Sequence, residues 1–163
     1  MNFLNRLFSK RKDEVHEPPP EFLQSEPPDW LLDLKGQGLS QGNAFSIRVQ
    51  LFEASRTGSV DVLVLPGQEG GQPQSGTAEL IRTEFDRLMV ILGFSFPDDI
   101  EDVPPGMKDG LPVTLSIHRR EPHAFKSAGC NLAGWDETRK SRPPLVEIGS
   151  ILLEMQKRIL PVP

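Results

Sequence analysis

Strict alternation of apolar and polar residues in two stretches constrains the fold of this chain more than any other feature. A spacing of two residues places every second side chain on one face, which is typical of a β-strand with one buried side. The apolar positions are Phe45, Ile47, Val49 and Leu51 in the first stretch and Val113, Leu115 and Ile117 in the second. We therefore predict half-buried strands at 45–51 and within 111–120.

A turn and a second strand-like run follow each of these strands. The first turn, Arg-Thr-Gly-Ser at 56–59, leads to an apolar run at 60–65. The second, a Glu-Pro-His break at 121–123, leads to a return strand at 125–132. Short turns between strand-like runs indicate hairpins. The sequence thus predicts two antiparallel pairs of strands.

A segment with helical spacing follows each hairpin. The first covers 77–92, with Thr77 as the expected N-cap and Gly93 as the expected stop. The second begins at Pro143 and Pro144, because proline suits the first turn of a helix. The predicted inward residues are Ile81, Phe85, Leu88 and Leu92 in the first helix and Ile148, Ile151, Leu152, Met155 and Ile159 in the second.

The resulting order, β-β-α-β-β-α, favours an α+β fold: a small four-stranded antiparallel sheet with two helices packed on one face. Residues 30–163 are expected to form this single domain, since the chain is long enough for one core plus appendages. Residues 29–34 have the pattern of a short capped helical turn that Gly36 ends. Residues 66–76, rich in Gly, Gln and Pro, are expected to form a loop.

Charge and residue usage exclude several classes of function. The net charge of −5 argues against nucleic-acid binding, which requires a clustered basic surface. The single cysteine cannot form an internal disulfide, and the three histidines lack zinc-ligand spacing. The acidic residues 98–102 lack the layout of a calcium loop, and residues 67–76 lack the spacing of a phosphate-binding loop. We therefore expect no nucleic-acid partner, no metal and no cofactor.

No apolar run in the sequence approaches the 18–20 residues needed to span a bilayer. Polar and basic residues at 5–6 and 9–12 also interrupt the apolar core that a secretory signal requires. The expected location is cytoplasmic; the alternative, which rests on the first residues, adds peripheral contact with the inner membrane face.

Residues 1–12 form an amphipathic, basic N-terminal peptide. Its apolar residues have the spacing that places them on one side of a helix, and no acid accompanies its positive charges. The apolar residues are Phe3, Leu4, Leu7 and Phe8, and the basic residues are Arg6, Lys10, Arg11 and Lys12. This combination suits a helix that lies on an anionic membrane surface.

The energetics of such a peptide allow only weak, reversible binding. Burying each Phe or Leu contributes roughly 1.5–3 kcal/mol, and each basic residue near an anionic leaflet about 1 kcal/mol. Ordering the backbone costs roughly 1–2 kcal/mol per residue. The alternatives are contact with a protein partner, docking on the peptide's own domain, or no binding role at all.

Residues 13–29 separate this peptide from the predicted domain. They contain six acidic residues, five prolines and no Lys or Arg. Such a composition cannot bury enough apolar surface to offset the entropy lost on ordering. We predict a disordered, acidic, proline-rich linker.

The polar side of the strand within 111–120 is the first candidate site. If helices cover the other side of the sheet, this row faces solvent or a partner. Its members are Thr114, Ser116, His118 and Arg120. An ordinary solvated face is one interpretation. The functional interpretation is that His118 and Arg120 contribute to binding of an acidic protein partner.

Cys130 is the second candidate, as a nucleophile. A reactive cysteine needs a nearby base, and His118 or His123 could lie close to Cys130 across the hairpin. No nucleophile motif surrounds Cys130, and a lone cysteine at the end of a strand is commonly core filler. A cysteine-dependent enzyme is therefore an alternative rather than the leading hypothesis.

The absence of a reactive constellation favours a non-catalytic interaction or adaptor-type domain. Its partner would be an unidentified protein, and the N-terminal peptide would hold the domain weakly at a membrane surface or at that partner. A related alternative is an immunity or inhibitor-like protein that masks another protein's active site. The enzyme hypothesis based on Cys130 remains a third.

Overall fold

The computed structural model describes residues 26–37, 43–68, 70–96, 111–132 and 143–160. Within these ranges the order is β-β-β-β-α-β-β-α. The strands are β1 (Trp30–Gln37), β2 (Ala44–Phe52), β3 (Thr57–Leu65), β4 (Gln74–Glu79), β5 (Pro112–Arg119) and β6 (Ala124–Asn131); the helices are α1 (Arg82–Ser95) and α2 (Pro144–Ile159). The α+β class is confirmed, with six described strands instead of the predicted four.

All neighbouring strands of the sheet are antiparallel, in the spatial order β4-β3-β2-β1-β5-β6. The two predicted hairpins are present as β2–β3 and β5–β6. They do not pair with each other, because β1 lies between them, with Trp30 opposite Leu51 on one side and Arg119 on the other. The first described strand of the chain is thus an inner strand of the sheet.

One side of the sheet and both helices form a single hydrophobic core. Residues of β1, β2 and β5 alternate between buried and more exposed, so that every second side chain enters this core. The helix residues in the core are Phe85, Leu88, Ile91 and Leu92 from α1 and Leu145, Val146, Ile148, Ile151, Leu152 and Met155 from α2. The predicted inward positions are confirmed except for Ile81, which is 50% exposed. Ile159 is partly buried against the core.

The predicted helical turn at 29–34 is wrong, because these residues belong to β1 and the residue before it. Trp30, Leu32 and Leu34 are buried, whereas Leu31 and Asp33 point to the other side and are half-buried. The period of two was present in the sequence. The alternation is obscured at Leu31 and Leu32, because both residues are apolar although they lie on opposite faces of the strand.

The start of the first helix was also predicted wrongly. Thr77 is not an N-cap but a residue of β4, and α1 begins at Arg82, after Ile81. Residues 74–76, assigned from sequence to a loop, form the first half of β4. At its other end α1 continues past Gly93 to Ser95. Gly93 is therefore an exposed residue within the helix.

Candidate functional site

The face of the sheet opposite the helices carries most of the predicted polar row. We call this the open face; its described members include Asp33, Lys35, Ser46, Arg48, Asp61, Leu63, Leu65, Thr114, Ser116, His118 and Phe125. Thr114 and His118 are exposed and Ser116 is half-buried, while their neighbours Val113, Leu115 and Ile117 are buried on the helix side. The alternation of β5 therefore places these three residues as predicted.

The centre of the open face is polar and its charges are paired. The carboxylate of Asp33 accepts a hydrogen bond from Ser46 Oγ at 3.2 Å and forms ion pairs with Lys35 at 3.1 Å and Arg48 at 3.5 Å. Farther along the sheet, Thr77 Oγ1 donates to Asp61 Oδ1 at 2.7 Å. The side chain of Asp33 is 14% exposed, whereas those of Lys35 and Arg48 are 64% and 52% exposed.

One end of the open face contains an apolar groove. Its lining includes Ala44, Leu63, Leu65, Pro112 and Lys35. Leu63 and Leu65 are 39% and 43% exposed. The groove has a volume of about 560 Å³ and is open to solvent. Exposed leucines beside polar groups are typical of surfaces that bind other proteins.

The other end of the open face, towards β6, carries an aromatic pair. The rings of His118 and Phe125 have centroids 4.4 Å apart, and Phe125 is 53% exposed. Ser116 and Ser127 lie within hydrogen-bond distance of each other, at 3.2 Å. Sequence analysis missed Phe125 and the two leucines of the groove as surface residues. Their exposure follows from the register of β3 and β6, which the sequence alone did not reveal.

Arg120 does not continue the predicted row. It lies in the turn after β5, where its Nη2 donates to Asp29 Oδ1 at 2.5 Å and its backbone N–H donates to the Asp29 carbonyl at 2.9 Å. The backbone N–H of Glu53 donates to the other Asp29 oxygen at 2.7 Å. This N–H, together with the Arg120 guanidinium, lowers the pKa of Asp29. Arg120 is thus bound within the domain, and Asp29, assigned from sequence to the linker, is bound to the sheet.

An aromatic cluster lies next to this junction. Trp30 donates from Nε1 to Glu53 Oε1 at 2.6 Å, packs edge-on against Phe96 at 5.2 Å between centroids, and lies below the Arg119 guanidinium at 5.0 Å. Hydrogen bonding of the indole and stacking of the cation both stabilise a buried tryptophan. These contacts hold the start of β1 in place.

Cys130 lies in β6 opposite Val113, whereas His118 lies opposite Phe125. The two backbone positions are therefore five residues apart along the ladder, or roughly 16 Å at about 3.3 Å per residue. His123 is exposed in the turn beyond His118. The register thus separates the positions that the enzyme hypothesis would bring together.

The N-terminal peptide, most of the predicted linker and the acidic segment lie outside the described residues, at 1–25 and 98–102. In the described part of the chain, no group of three or more His, Cys, Asp or Glu is arranged to hold a metal ion. Neither described helix is long and apolar enough to cross a membrane. Comparisons with protein-family models and with curated proteins find no match for this sequence.

Proposed function

We propose that this protein is a non-catalytic interaction protein that binds a protein partner through the open face of its sheet. The N-terminal peptide, residues 1–12, holds the domain weakly at an anionic membrane surface. The observation that carries the proposal is that both described helices pack on one side of the sheet, while the other side presents paired polar groups and exposed apolar side chains.

The composition of the open face supports partner binding over simple solvation. Most members of the open face are polar, as in a solvated sheet face, and what distinguishes it is the presence of three exposed large apolar side chains. Here Leu63, Leu65 and Phe125 are each between 39% and 53% exposed, at the two ends of a polar centre. Apolar anchors next to satisfied polar groups are the usual composition of a protein interface. Thr114 and His118 lie between these anchors and would supply hydrogen bonds.

Site-specific crosslinking in the native cell tests this proposal. A photo-crosslinking amino acid is introduced at Leu63 or Thr114 on the open face, and at Lys157 on α2 as an exposed control on the helix side. We expect one discrete adduct with a second protein from the two open-face positions and none from Lys157. The adduct should disappear in a Leu65→Asp variant that retains its thermal midpoint. Equal labelling from all three positions, or none, would contradict the proposal.

The membrane part of the proposal has a separate test. The full chain is sedimented with vesicles of phosphatidylglycerol and phosphatidylcholine, and with vesicles of phosphatidylcholine alone. We expect binding only to the anionic vesicles, weakened by salt, and lost in a Phe3→Asp/Phe8→Asp variant. Identical sedimentation of both proteins would refute the tether without affecting the open-face proposal.

A further inference from the structure

We infer that residues 1–12 also dock on their own domain, on a patch of α1 formed by Met89, Val90 and Phe94. This contact competes with membrane binding, so that the peptide alternates between the domain and the lipid surface. The inference rests on the membrane tether of the proposed function and adds a way in which membrane binding is regulated. We call these three residues the α1 patch.

The α1 patch is the most exposed apolar surface of the described helices. Phe94 is 85% exposed and Val90 is 59% exposed, although Leu88, Ile91 and Leu92 of the same helix are buried in the core. Residues 90 and 94 are one helical turn apart and therefore adjacent on the surface. Together with Phe85 and Met89 they line a groove of about 490 Å³. A groove of this kind is suited to an amphipathic helix.

The described chain begins beside this groove. Glu26, its first residue, lines a depression together with Asp29, Glu53 and Arg120. Glu53 also lines the groove of the α1 patch, so the two depressions adjoin. Residues 13–25 connect the peptide to Glu26, and even a random coil of this length spans roughly 20 Å on average. The tether therefore gives the peptide an effective concentration on the order of millimolar at the patch.

The charges around the groove also favour the peptide. Asp86 is paired with Arg56 at 2.9 Å and with Arg82 at 3.1 Å. Glu53 receives a hydrogen bond from the neutral Trp30 indole. The charged residues that line the groove are the carboxylates of Glu53 and Asp86 and the guanidinium of Arg56, a net charge of −1. The peptide carries four basic residues and no acid.

The groove on the open face is the less suitable site for the same peptide. It lies at the far end of β1, about 23 Å from Trp30 at roughly 3.3 Å per residue. The shorter distance from the start of the described chain therefore favours the α1 patch. Docking there leaves the open face free for its partner.

Paramagnetic broadening in the full chain locates the peptide. A nitroxide is attached at Ser9→Cys in a Cys130→Ser background, and the methyl signals of Val90 and Met89 are compared with those of Leu63 and Leu65. We expect strong broadening at the α1 patch and little on the open face. The broadening should vanish when Phe3→Asp/Phe8→Asp is added. Equal broadening on both surfaces, or none, would overturn the inference.

Vesicle binding gives the second readout. If the α1 patch competes for the peptide, the Val90→Ser/Phe94→Ser variant should bind phosphatidylglycerol vesicles at least ~3-fold more tightly than wild type. This is the gain expected when about two thirds of wild-type molecules have the peptide docked, because only the remaining third can bind lipid. Ile81→Ser, another exposed apolar position at the opposite end of α1, is the matched control and should bind as wild type does. Unchanged affinity in the double variant, with vesicle binding intact, would refute docking and leave the tether standing.

Discussion

Glu84 and Arg158 form a two-point salt bridge between the two helices, with both N–O distances at 2.9 Å. Glu84 also accepts a hydrogen bond from the Ile81 backbone N–H at 3.0 Å, and Arg158 donates to the Glu79 carbonyl at 3.3 Å. The pair therefore connects the end of β4, the start of α1 and the last turn of α2. Among the described residues, Glu84 is the only charged residue that is buried.

We expect Arg158→Met to destabilise the protein more than Glu84→Gln does. Removing the guanidinium leaves a buried carboxylate without its cation, whereas Arg158, 35% exposed in its side chain, can reach water when Glu84 is neutralised. Hydrogen bonds to charged groups contribute about 1.5–3 kcal/mol, which sets the size of the larger effect. Urea unfolding of both variants measures the difference. The reverse order would contradict the expectation that the uncompensated carboxylate is the more costly defect.

Leu152→Ala should lower the free energy of unfolding by roughly 2–5 kcal/mol, and Phe85→Ala by a similar amount. Both side chains lie in the core, at 0% and 3% exposure. Val90→Ala is the control, because this side chain is largely exposed and its loss should change stability by less than about 0.5 kcal/mol. Thermal and urea unfolding check these values. A core variant as stable as the control would contradict the position of the core.

Gly93→Ala should stabilise the protein by about 0.5–1 kcal/mol. Gly93 lies within α1, and a Cβ added there meets no atom within 4 Å. Alanine has the higher helix propensity and restricts the unfolded chain. A higher thermal midpoint would confirm that the helix continues through this residue. A lower midpoint would favour the helix stop that the sequence suggested.

Asp29→Asn should destabilise the protein at neutral pH and have less effect in acid. The Glu53 N–H and Arg120 hold the pKa of Asp29 below its usual 3.8, so the folded state favours the ionised carboxylate. This stabilisation is fully present above the unfolded-state pKa and is lost as the pH falls through the folded-state pKa. The difference in thermal midpoint between wild type and variant should therefore shrink from about pH 5 downwards. A difference that stays constant with pH would exclude this linkage.

Sequence periodicity predicted the parts of the fold in which one side of an element is buried. The strands at 45–51 and 111–120 and the inward residues of α2 are correct because their alternation or helical spacing reports burial directly. β4 was missed because its sequence, Gln-Ser-Gly-Thr-Ala-Glu, lies at the edge of the sheet and carries no large apolar side chain. The residue composition of such a polar edge strand does not distinguish it from a loop.

The candidate site could be predicted only in part for a related reason. The outward orientation of Thr114, Ser116 and His118 follows from the local period of β5. The apolar groove instead depends on β1, β2, β3 and β5 being adjacent, which is a property of long-range pairing. Arg120 was misplaced because its partner, Asp29, is distant in sequence.

The inner position of β1 has a consequence for the order in which the chain folds. One edge of β1 pairs with β2, but the other waits for β5, so that Trp30 meets Arg119 only after most of the chain has been made. At about 5–20 residues per second, the ribosome needs roughly 3–12 s to add the residues between the end of β2 and the start of β5. Through that interval a hydrophobic strand keeps one edge unpaired. A nascent chain stalled before Pro112 would therefore be a substrate for chaperones and a source of aggregation, whereas the finished chain buries that edge inside its own sheet.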